Sequence, residues 1–582
     1  MATFTELGID NATKNRILNF LNSAINAVAI AGVEPQKGPV LDDPSTGYGD
    51  QIDDYDIGLT VAQRIIDKRN TFSGNTFTSL AQLSNINGLG QDKFNDLVYS
   101  FGPAIYGQWD QLADSPVYAV HAALLKSGKV LMFAGGAESG YPLDSATYDP
   151  VSNSYNVQTG NDAYSDDLFC SHHAALADGT MVVNGGADGH PHAHGIKKTY
   201  YFDPNLEKWF VKEDMDLARW YPTTLALPDS KLITFSGFNA VGSITPQVED
   251  FDPSSGTIGD WSTRTQATAN KTLQTYPGMH LMPNGKILYT GTRWASGVGI
   301  WGGPTKTALF DLNTNTWADV GDHIVKDRTE GMSVILPPDN NRVMIIGGRG
   351  DHATNKSTNS VEIIDFNDAT PAWQSVSPMN FPRRNVNAVL LPTQKVLVCS
   401  GIQGFKWDSN PLPVLTAEEY DPVTNSWTQL ADMAVARQYH SCSILLPDGR
   451  VLNLGSVKSD GTGHNLIKKV EVFSPPYLFN GARPVISNAP SIGHHGENIT
   501  IDTTQANDIG SVVLVKPMAI THHTDSEQRV IPLSFSVLSS NQIQATMPNG
   551  SHPHYHAIRA QYMLFILTNN KVPSEAKFIE LH

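Results

Sequence analysis

The sequence predicts a mainly β protein: a seven-bladed β-propeller, followed by an immunoglobulin-like β-sandwich and preceded by a small helical domain. Two observations predict the propeller, namely a turn motif that recurs seven times and a short apolar run that ends in glycine after each turn. Apolar runs of this length between turn residues are typical of buried strands. A third observation, alternating strand patterns near the end of the chain, predicts the sandwich.

The repeat unit is defined by its turns. The turn centres are Ser127-Gly128, Asp178-Gly179, Asp229-Ser230, Asn284-Gly285, Asp339-Asn340, Thr393-Gln394 and Asp448-Gly449, spaced 51 to 55 residues apart. This period fits a kelch-type unit. Most units add an Asp-Pro element such as Tyr148-Asp149-Pro150 and an aromatic residue in the next strand, such as Trp209. Four strands in each of seven units predict a kelch-type propeller over residues 108–482.

The flanking segments differ from the repeat. Residues 1–107 have helical apolar spacing from Asn11 to Ala29, and residues 77–93 resemble a helix-hairpin-helix motif. Such hairpins often bind DNA phosphate, but the excess of acidic residues here would repel phosphate, so we expect a structural or protein-docking role. Residues 483–582, which open with Arg483-Pro484, are expected to form the sandwich.

Composition excludes several classes of function. The 582-residue chain carries a formal net charge of −17, which disfavours nucleic acid and anionic membrane surfaces as partners. It contains no apolar run long enough for a membrane span. Residues 1–6 do not resemble a secretory signal, so either the chain stays inside the cell or a signal has been removed. Three cysteines do not form a disulfide framework.

Residues suited to bind a metal recur at one position of the repeat. Counting back eight residues from the turn gives Cys170, Tyr221, Tyr276 and His440. Equivalent positions of a closed repeat ring lie at one height around one axis, so these side chains should converge. A mixed set of imidazole and phenol groups favours Cu(II) over calcium, magnesium or structural zinc. The alternative is that they are ordinary polar residues lining the mouth of the channel.

Four motifs give the sequence a family resemblance. They are Phe169-Cys170-Ser171, Arg219-Trp220-Tyr221-Pro222, Arg437-Gln438-Tyr439-His440-Ser441, and Thr521-His522 followed by residues 528–533. Together, in this order, they resemble the galactose oxidase and glyoxal oxidase family of copper radical oxidases. The resemblance covers about residues 111–582.

The resemblance implies a function and a cofactor. Cys170 and Tyr221 would form a thioether cross-link, and the modified Tyr221 would bind one copper ion and hold a radical. His440 and His522 would be the imidazole ligands, with Tyr439 as the axial phenolate and general base. The enzyme would oxidise a primary alcohol or an aldehyde hydrate with O2 and release hydrogen peroxide. Carbohydrates are among the candidate substrates, and an extracellular or cell-surface location is expected.

The substrate pocket is less well defined by the sequence. Galactose oxidase stacks a tryptophan from a neighbouring loop on its radical tyrosine, whereas this chain has Phe238 in that loop. Phe405, Trp407 and His192 lie in other loops expected at the same end of the propeller. They are candidate substrate contacts, with simple loop packing or solvation as the alternative. The Arg-Trp-Tyr-Pro form is closer to glyoxal oxidases.

Two other functions fit parts of the pattern. A non-catalytic kelch propeller could bind a protein or a glycan through its loops, but it would need none of the five proposed site residues. A redox-silent copper or zinc site would keep the ligands without the cross-link and would give no turnover.

Overall fold

The fold is given by a computed structural model, and seven antiparallel sheets dominate it, six of four strands and one of five. The structure describes residues 14, 17–18, 21–22, 59–91, 93–95, 103–135, 144–188, 194–291, 306–325, 327–351, 356–404, 412–459, 464–549 and 554–582. The predicted mainly β fold is confirmed. No helix in these ranges is both long and apolar enough to cross a membrane.

Each sheet is one blade, and its strands run outward in sequence order. Blade 1 has β2 (His121–Leu124), β3 (Val130–Phe133), β4 (Ser145–Asp149) and β5 (Ser154–Gln158), and blade 2 has β6 (His172–Ala175), β7 (Met181–Asn184), β8 (Thr199–Asp203) and β9 (Lys208–Val211). Blade 3 has β10 (Thr223–Ala226), β11 (Leu232–Phe235), β12 (Glu249–Asp252) and β13 (Asp260–Thr263). Blade 4 has β14 (Met279–Leu281), β15 (Lys286–Tyr289), β16 (Lys306–Asp311) and β17 (Thr316–Asp322).

The remaining blades carry small extra hairpins, and the last blade takes its outermost strand from the start of the propeller. Blade 5 has β18 (Met332–Leu336), β19 (Arg342–Ile346), β22 (Val361–Asp365) and β23 (Trp373–Val376), with an extra hairpin of β20 (Arg349–Asp351) and β21 (Lys356–Ser357). Blade 6 has β24 (Asn387–Leu390), β25 (Val396–Cys399), β28 (Thr416–Asp421) and β29 (Ser426–Asp432), with an extra hairpin of β26 (Ile402–Gln403) and β27 (Leu412–Pro413). Blade 7 has β30 (Ser441–Leu445), β31 (Val451–Gly455), β34 (Val470–Ser474) and β1 (Gln108–Leu112), with an extra hairpin of β32 (Val457–Ser459) and β33 (His464–Leu466).

The repeated aromatic residue of the outer strand joins neighbouring blades. The Trp209 indole of blade 2 donates to Ser145 Oγ of blade 1 at 2.8 Å, and the Trp261 indole of blade 3 donates to Thr199 Oγ1 of blade 2 at 2.9 Å. Trp427 of blade 6 donates to the Ser377 carbonyl at 2.7 Å. A buried indole N–H needs an acceptor, so this residue fixes the spacing of adjacent blades as well as filling the core.

Helices flank the propeller on the N-terminal side. α1 (Leu59–Arg69) buries Ala62 and Ile65, which belong to one apolar cluster with Ile17 and Leu80. A short 3₁₀ turn, Leu80–Leu83, follows, and α2 (Pro103–Tyr106) leads into β1. Most of the stretch expected to be helical between Asn11 and Ala29 lies outside the described residues, and the helix-hairpin-helix interpretation of residues 77–93 stays a prediction.

The C-terminal part is a pair of β-sheets with one long excursion. A five-stranded sheet contains β35 (Ile492–Gly493), β37 (Ile509–Lys516), β39 (Arg529–Leu533), β42 (Ala560–Thr568) and β43 (Lys577–Leu581), and a three-stranded sheet contains β36 (Asn498–Asp502), β40 (Phe535–Ser539) and β41 (Gln542–Thr546). Residues 517–528 connect β37 to β39 and include β38 (Ala519–Thr521). We call this segment the finger.

The finger enters the propeller and bonds to its inner strands. β38 pairs antiparallel with β2, so it becomes a fifth, innermost strand of blade 1. Glu527 accepts the Ala226 N–H of blade 3 at 3.0 Å. Gln528 accepts the Leu390 N–H and donates to the Ala388 carbonyl of blade 6, at 2.9 and 3.0 Å. The finger therefore ties three separate blades to the C-terminal sheets.

Four blades contain the same buried ion pair. An arginine just before the first strand meets a glutamate on the third strand; the pairs are Arg219–Glu249, Arg328–Glu362, Arg383–Glu418 and Arg437–Glu471. Each arginine also donates to a carbonyl at the end of the second strand, at Ser236, Gly347, Ser400 and Gly455 respectively. Because the side chains are almost entirely buried, the pair holds the segment before each first strand rigidly.

We predict that one of these pairs is needed for stability. Burial by itself raises the pKa of the Glu362 carboxyl, but nearby His323, whose Nδ1 lies 3.7 Å from the carboxylate, and the charge of Arg328 outweigh burial and lower the pKa to about 2. Glu362→Gln would leave Arg328 buried without its counter-charge, which costs about 3 to 5 kcal/mol. We expect the unfolding midpoint temperature to fall by several degrees at neutral pH.

The comparison variant and the pH dependence make this prediction specific. Asp319→Asn, which removes a half-exposed partner of Lys306, should change stability by about 0 to 1 kcal/mol. The folded pKa of Glu362 lies below its usual 4.5, so its contribution is present above that value and is lost as the pH falls towards about 2. The difference between wild type and Glu362→Gln should shrink over that range; a constant difference would contradict the assignment.

Candidate metal centre

Seven residues with left-handed backbone conformations form a ring at one end of the propeller. They and their φ angles are His522 (49°), Cys170 (55°), Tyr221 (65°), Tyr276 (44°), Glu330 (65°), Asn385 (55°) and His440 (66°). Six of them lie one to three residues before the first strand of blades 2 to 7. In blade 1 the finger supplies His522 directly after β38. We call these seven residues the ring positions.

Backbone hydrogen bonds connect consecutive ring positions. The Tyr221 N–H donates to the Cys170 carbonyl at 2.9 Å, and the Tyr276 N–H donates to the Tyr221 carbonyl at 2.8 Å. The same bond joins the Asn385 N–H to the Glu330 carbonyl at 2.8 Å. A left-handed non-glycine residue costs about 1 kcal/mol or more, so its recurrence shows that the surrounding structure imposes it. The ring geometry therefore fixes the direction of one side chain in each of these blades.

Three of these side chains bring metal-binding atoms together. The ligand atoms of Cys170, His440 and His522 all lie within 4.8 Å of one another, and all three residues are buried. Cys170 Sγ lies 3.2 Å from His522 Nε2, and the rings of His440 and His522 are 4.4 Å apart. On the other side of His522, the Thr521 hydroxyl lies 2.7 Å from Nδ1. That contact orients the imidazole so that Nε2 points to the cluster.

The two tyrosines of the sequence motifs meet beside this cluster. The hydroxyl oxygens of Tyr221 and Tyr439 are 3.1 Å apart, and the Tyr221 hydroxyl also hydrogen-bonds with the Cys170 thiol. The Tyr439 ring stacks on the neighbouring His440 ring at 3.9 Å. The structure thus brings all five residues predicted for the metal site into one cluster, from blades 2, 3 and 7 and from the finger.

Burial controls the protonation of Tyr221. Desolvation raises the pKa of the Tyr221 phenol well above its usual 10.0, and the nearby Cys170 and Tyr439 raise it further. The phenol is therefore protonated at neutral pH, and a bound metal would have to displace that proton. Metal binding here should be accompanied by proton release.

The donor set of the cluster fits copper. Two imidazoles and two phenols surround one thiol, and nitrogen and oxygen donors of this kind suit Cu(II). Structural zinc sites normally have more thiolates, and calcium or magnesium would select carboxylates. The residues of the cluster therefore fit copper, the metal that the sequence resemblance implies.

An aromatic shell surrounds Tyr221. The ring of Trp220 lies 4.5 Å from the Tyr221 ring, and Phe238 packs against Trp220 at 5.8 Å. Tyr276 is edge-on to Tyr221 at 4.9 Å and lies 4.6 Å from the His522 ring. Its hydroxyl donates to the Ser171 carbonyl at 2.6 Å. Tyr276 thus contacts both Tyr221 and His522.

Two ring positions, Glu330 and Asn385, are not evident from the sequence pattern. Glu330 lies nine residues before its turn rather than eight, and Asn385 is not a typical copper ligand, so neither was assigned to the ring. A better signal was available, because Arg219, Arg328 and Arg383 each stand two residues before a ring position. Of the predicted substrate contacts, Phe238 lies in the aromatic shell, whereas Phe405, Trp407 and His192 lie outside the described residues.

Comparisons with known proteins agree with this geometry. Residues 143–477 match the family model described as "Glyoxal oxidase N-terminus", and residues 483–581 match "Galactose oxidase-like, Early set domain". The chain is 27% identical to galactose oxidase of Gibberella zeae over 537 residues, which covers 88% of this chain and 74% of the relative. It is 28% identical to aldehyde oxidase GLOX of Vitis pseudoreticulata over 464 residues, or 71% of this chain and 82% of the relative.

A solved structure shares the fold. It is described as a novel fungal alcohol oxidase with catalytic diversity among the AA5 family, in complex with copper. The TM-score is 0.69 at 22% sequence identity, and the match covers 82% of this chain and 99% of the other. Because the first family model alone spans more than half of the 582 residues, the chain belongs to the glyoxal oxidase and galactose oxidase family.

Proposed function

We propose that this protein is a copper-dependent oxidase that uses O2 to oxidise a primary alcohol to an aldehyde, or an aldehyde hydrate to a carboxylic acid, with release of hydrogen peroxide. The observation that carries the proposal is the convergence of two tyrosines, two histidines and a cysteine on one buried cluster. The relatives named galactose oxidase and aldehyde oxidase support the same reaction class. An extracellular or cell-surface location is part of this proposal.

The ligands come from two parts of the chain. His440 and Tyr439 precede β30, Tyr221 precedes β10, and His522 is supplied by the finger. A copper ion held by these side chains would supply a one-electron redox partner and a Lewis acid that acidifies the substrate hydroxyl. The transfer of the proton and of the hydrogen atom from the substrate can be assigned to residues of the chain.

Tyr439 is suited to move the hydroxyl proton. Its phenol oxygen lies 3.1 Å from that of Tyr221, so a substrate oxygen at the cluster would lie within hydrogen-bond reach of both. In its oxidised form Tyr221 would then accept a hydrogen atom from the substrate carbon. Burial of the cluster keeps water away from these groups, which strengthens their electrostatic interactions.

Cys170 is placed to modify Tyr221. Its thiol hydrogen-bonds with the Tyr221 hydroxyl, so the two groups that would be joined are already neighbours. A carbon–sulfur bond would form with loss of one hydrogen from the thiol and one from the ring, while O2 is reduced to hydrogen peroxide. A sulfur substituent would make the phenol easier to oxidise than an ordinary tyrosine.

Substrate selection is assigned to the loops at the ring end of the propeller. Phe238 supports Trp220 from one of these loops, and we propose that the pair forms one wall of the substrate pocket. Phe405, Trp407 and His192 stay predictions for the remaining walls. No particular alcohol or aldehyde is assigned, and carbohydrates are among the candidates.

We predict that exposure of metal-free protein to copper and air will join Cys170 to Tyr221. Digestion followed by mass spectrometry should find one linked pair of peptides, lighter than the sum of the separate peptides by two hydrogens. Cys442 is equally buried, but its thiol contacts the backbone carbonyls of Val120 and Ile520, so its peptide should stay unmodified. Two separate, unmodified peptides in copper-loaded protein would count against the radical mechanism.

Tyr439→Phe should separate proton transfer from assembly of the cluster. Loss of the phenol removes the proposed base, so kcat for a primary alcohol should fall about 10²- to 10⁴-fold. The Cys170–Tyr221 link should still form, because neither partner is changed. Stopped-flow measurement of peroxide release checks the rate and peptide mass checks the link; a near-normal rate with the link present would assign the base elsewhere.

Tyr276→Phe tests the aromatic support of the cluster. The variant loses the hydrogen bond to the Ser171 carbonyl that holds the ring against Tyr221 and His522, so copper affinity should weaken about 10-fold. Tyr562→Phe is a matched control, since this buried hydroxyl donates to the Ile558 carbonyl at 2.9 Å in the C-terminal sheets. Competition with a chelator measures both affinities. Equal affinities would show that Tyr276 only fills space.

A further inference from the structure

A second layer of equivalent residues lies above the ring, in the loop that follows the second strand of a blade. In four blades the N–H of this residue donates to the carbonyl of the residue just before a ring position. The bonds are Phe238 to Trp220 at 2.7 Å, Arg349 to Thr329 at 2.8 Å, Ile402 to Arg384 at 3.0 Å and Val457 to Tyr439 at 2.9 Å. We call Phe238, Arg349, Ile402 and Val457 the rim residues.

Two of the rim residues, Phe238 and Val457, lie next to residues of the metal centre. Phe238 contacts Trp220, which in turn contacts Tyr221, and the Val457 N–H bonds to the carbonyl of Tyr439 itself. Blades 7, 2 and 3 provide metal-site residues, and the finger adds His522 at blade 1, so blade 5 is the middle of the opposite arc. Because equivalent residues of a propeller lie at one height, Arg349 stands at the level of the other rim residues in that arc.

Arg349 differs from the other rim residues in its chemistry. Phe238, Ile402 and Val457 are apolar, whereas Arg349 brings a guanidinium to the same level. Asp327 holds this group through Nε at 2.6 Å and the Nη2 nitrogen at 2.5 Å, both on one carboxylate oxygen. The second oxygen accepts the Thr329 N–H at 2.9 Å. The Asp327 side chain is fully buried, whereas that of Arg349 is 14% exposed.

A comparison within the chain separates this pair from a structural one. Arg264 is equally exposed and pairs with Asp250 through Nε and Nη2, and its Nη1 is satisfied by Asn315 Oδ1 at 2.6 Å and by the Leu312 carbonyl. For Arg349, no described residue accepts a hydrogen bond from Nη1. Its guanidinium is fixed along one edge and keeps donors on the other.

Two acidic residues near Arg349, Asp327 and Glu330, are already paired with arginines. Asp327 is neutralised by Arg349 itself. Glu330, the ring position of the same blade, is bound by Arg384 through Nε and the Nη2 nitrogen, both at 2.6 Å. A planar guanidinium matches the geometry of a carboxylate or a phosphate, and the Nη1 donors of Arg349 have no acceptor among the described residues.

We propose that Arg349 is a specificity-determining residue that binds an anionic group, carboxylate or phosphate, on the same substrate molecule whose alcohol or aldehyde carbon reacts at the metal centre. The inference rests on the proposed oxidase function and names its substrate class: small hydroxy or oxo acids and their phosphate counterparts. Asp327 acts as the positioning residue for the guanidinium.

The test uses copper-loaded protein and matched substrate pairs. The span from the metal centre to Arg349 is covered by a series of ω-hydroxycarboxylates of increasing chain length, each compared with the diol of the same length and with the hydroxyalkyl phosphate. In wild type, kcat/KM should favour the anion over the diol at one chain length. Arg349→Met should lower that ratio about 10-fold or more, mainly through KM, because charge-assisted hydrogen bonds are lost.

Control variants and a binding measurement complete the test. Arg264→Met removes the structural counterpart and should leave the anion-to-diol ratio unchanged. Saturation-transfer NMR on metal-free protein should detect the preferred hydroxycarboxylate with wild type and not with Arg349→Met, which does not depend on turnover. The carboxylate and phosphate arms show which anion is taken.

The outcomes distinguish the two proposals. If wild type oxidises the diols but shows no preference for either anion, or if Arg349→Met keeps the preference, the role of Arg349 is wrong while the oxidase function stands. If no substrate gives peroxide and Cys170 and Tyr221 stay unlinked, the oxidase function fails. Anion binding that depends on Arg349 in the NMR measurement would still support the site in that case.

Discussion

The buried arginine–glutamate pair is the interaction on which the rest of the structure depends. In each of four blades it joins the third strand to the segment before the first strand, and it also binds the end of the second strand. A buried ion pair is costly unless its groups find partners, and here a backbone carbonyl accepts a hydrogen bond from Nη1 of each arginine, while Nε of Arg328, Arg383 and Arg437 has no partner among the described residues. The result is a rigid base for the residues that follow, including Tyr221 and Tyr439, which stand two residues after Arg219 and Arg437.

This rigidity lets the ring positions hold left-handed backbones with ordinary side chains. Cys170, Tyr221 and His440 would each prefer another conformation, and the blades impose the strained one together with its direction. The ring divides into two arcs. One contains the metal-binding side chains, and the other contains Tyr276, Glu330 and Asn385. The first arc suits redox chemistry, and we propose that the rim above the second selects the substrate.

The finger explains why a propeller and a separate pair of sheets form one functional unit. At blade 1 the ring position is supplied by the finger. β38 adds a strand to this blade, and the metal-binding residue His522 directly follows β38. Glu527 and Gln528 bind inner strands of blades 3 and 6, so the position of His522 is coupled to distant blades. Loosening the finger should therefore affect the metal centre before it affects the outer strands.

Local patterns were enough to predict the propeller, because each blade repeats its own turn, apolar strands and aromatic residue. The equal spacing also predicted that Cys170, Tyr221 and His440 converge, while His522 and Tyr439 were identified only by family resemblance. The role of Glu330, the support from Tyr276 and the orientation of Arg349 by Asp327 depended on contacts between residues in separate strands and loops. Sequence periodicity determines which residues share a height around the axis; only tertiary packing decides which of them face each other, since that depends on side-chain direction and on hydrogen bonds between blades.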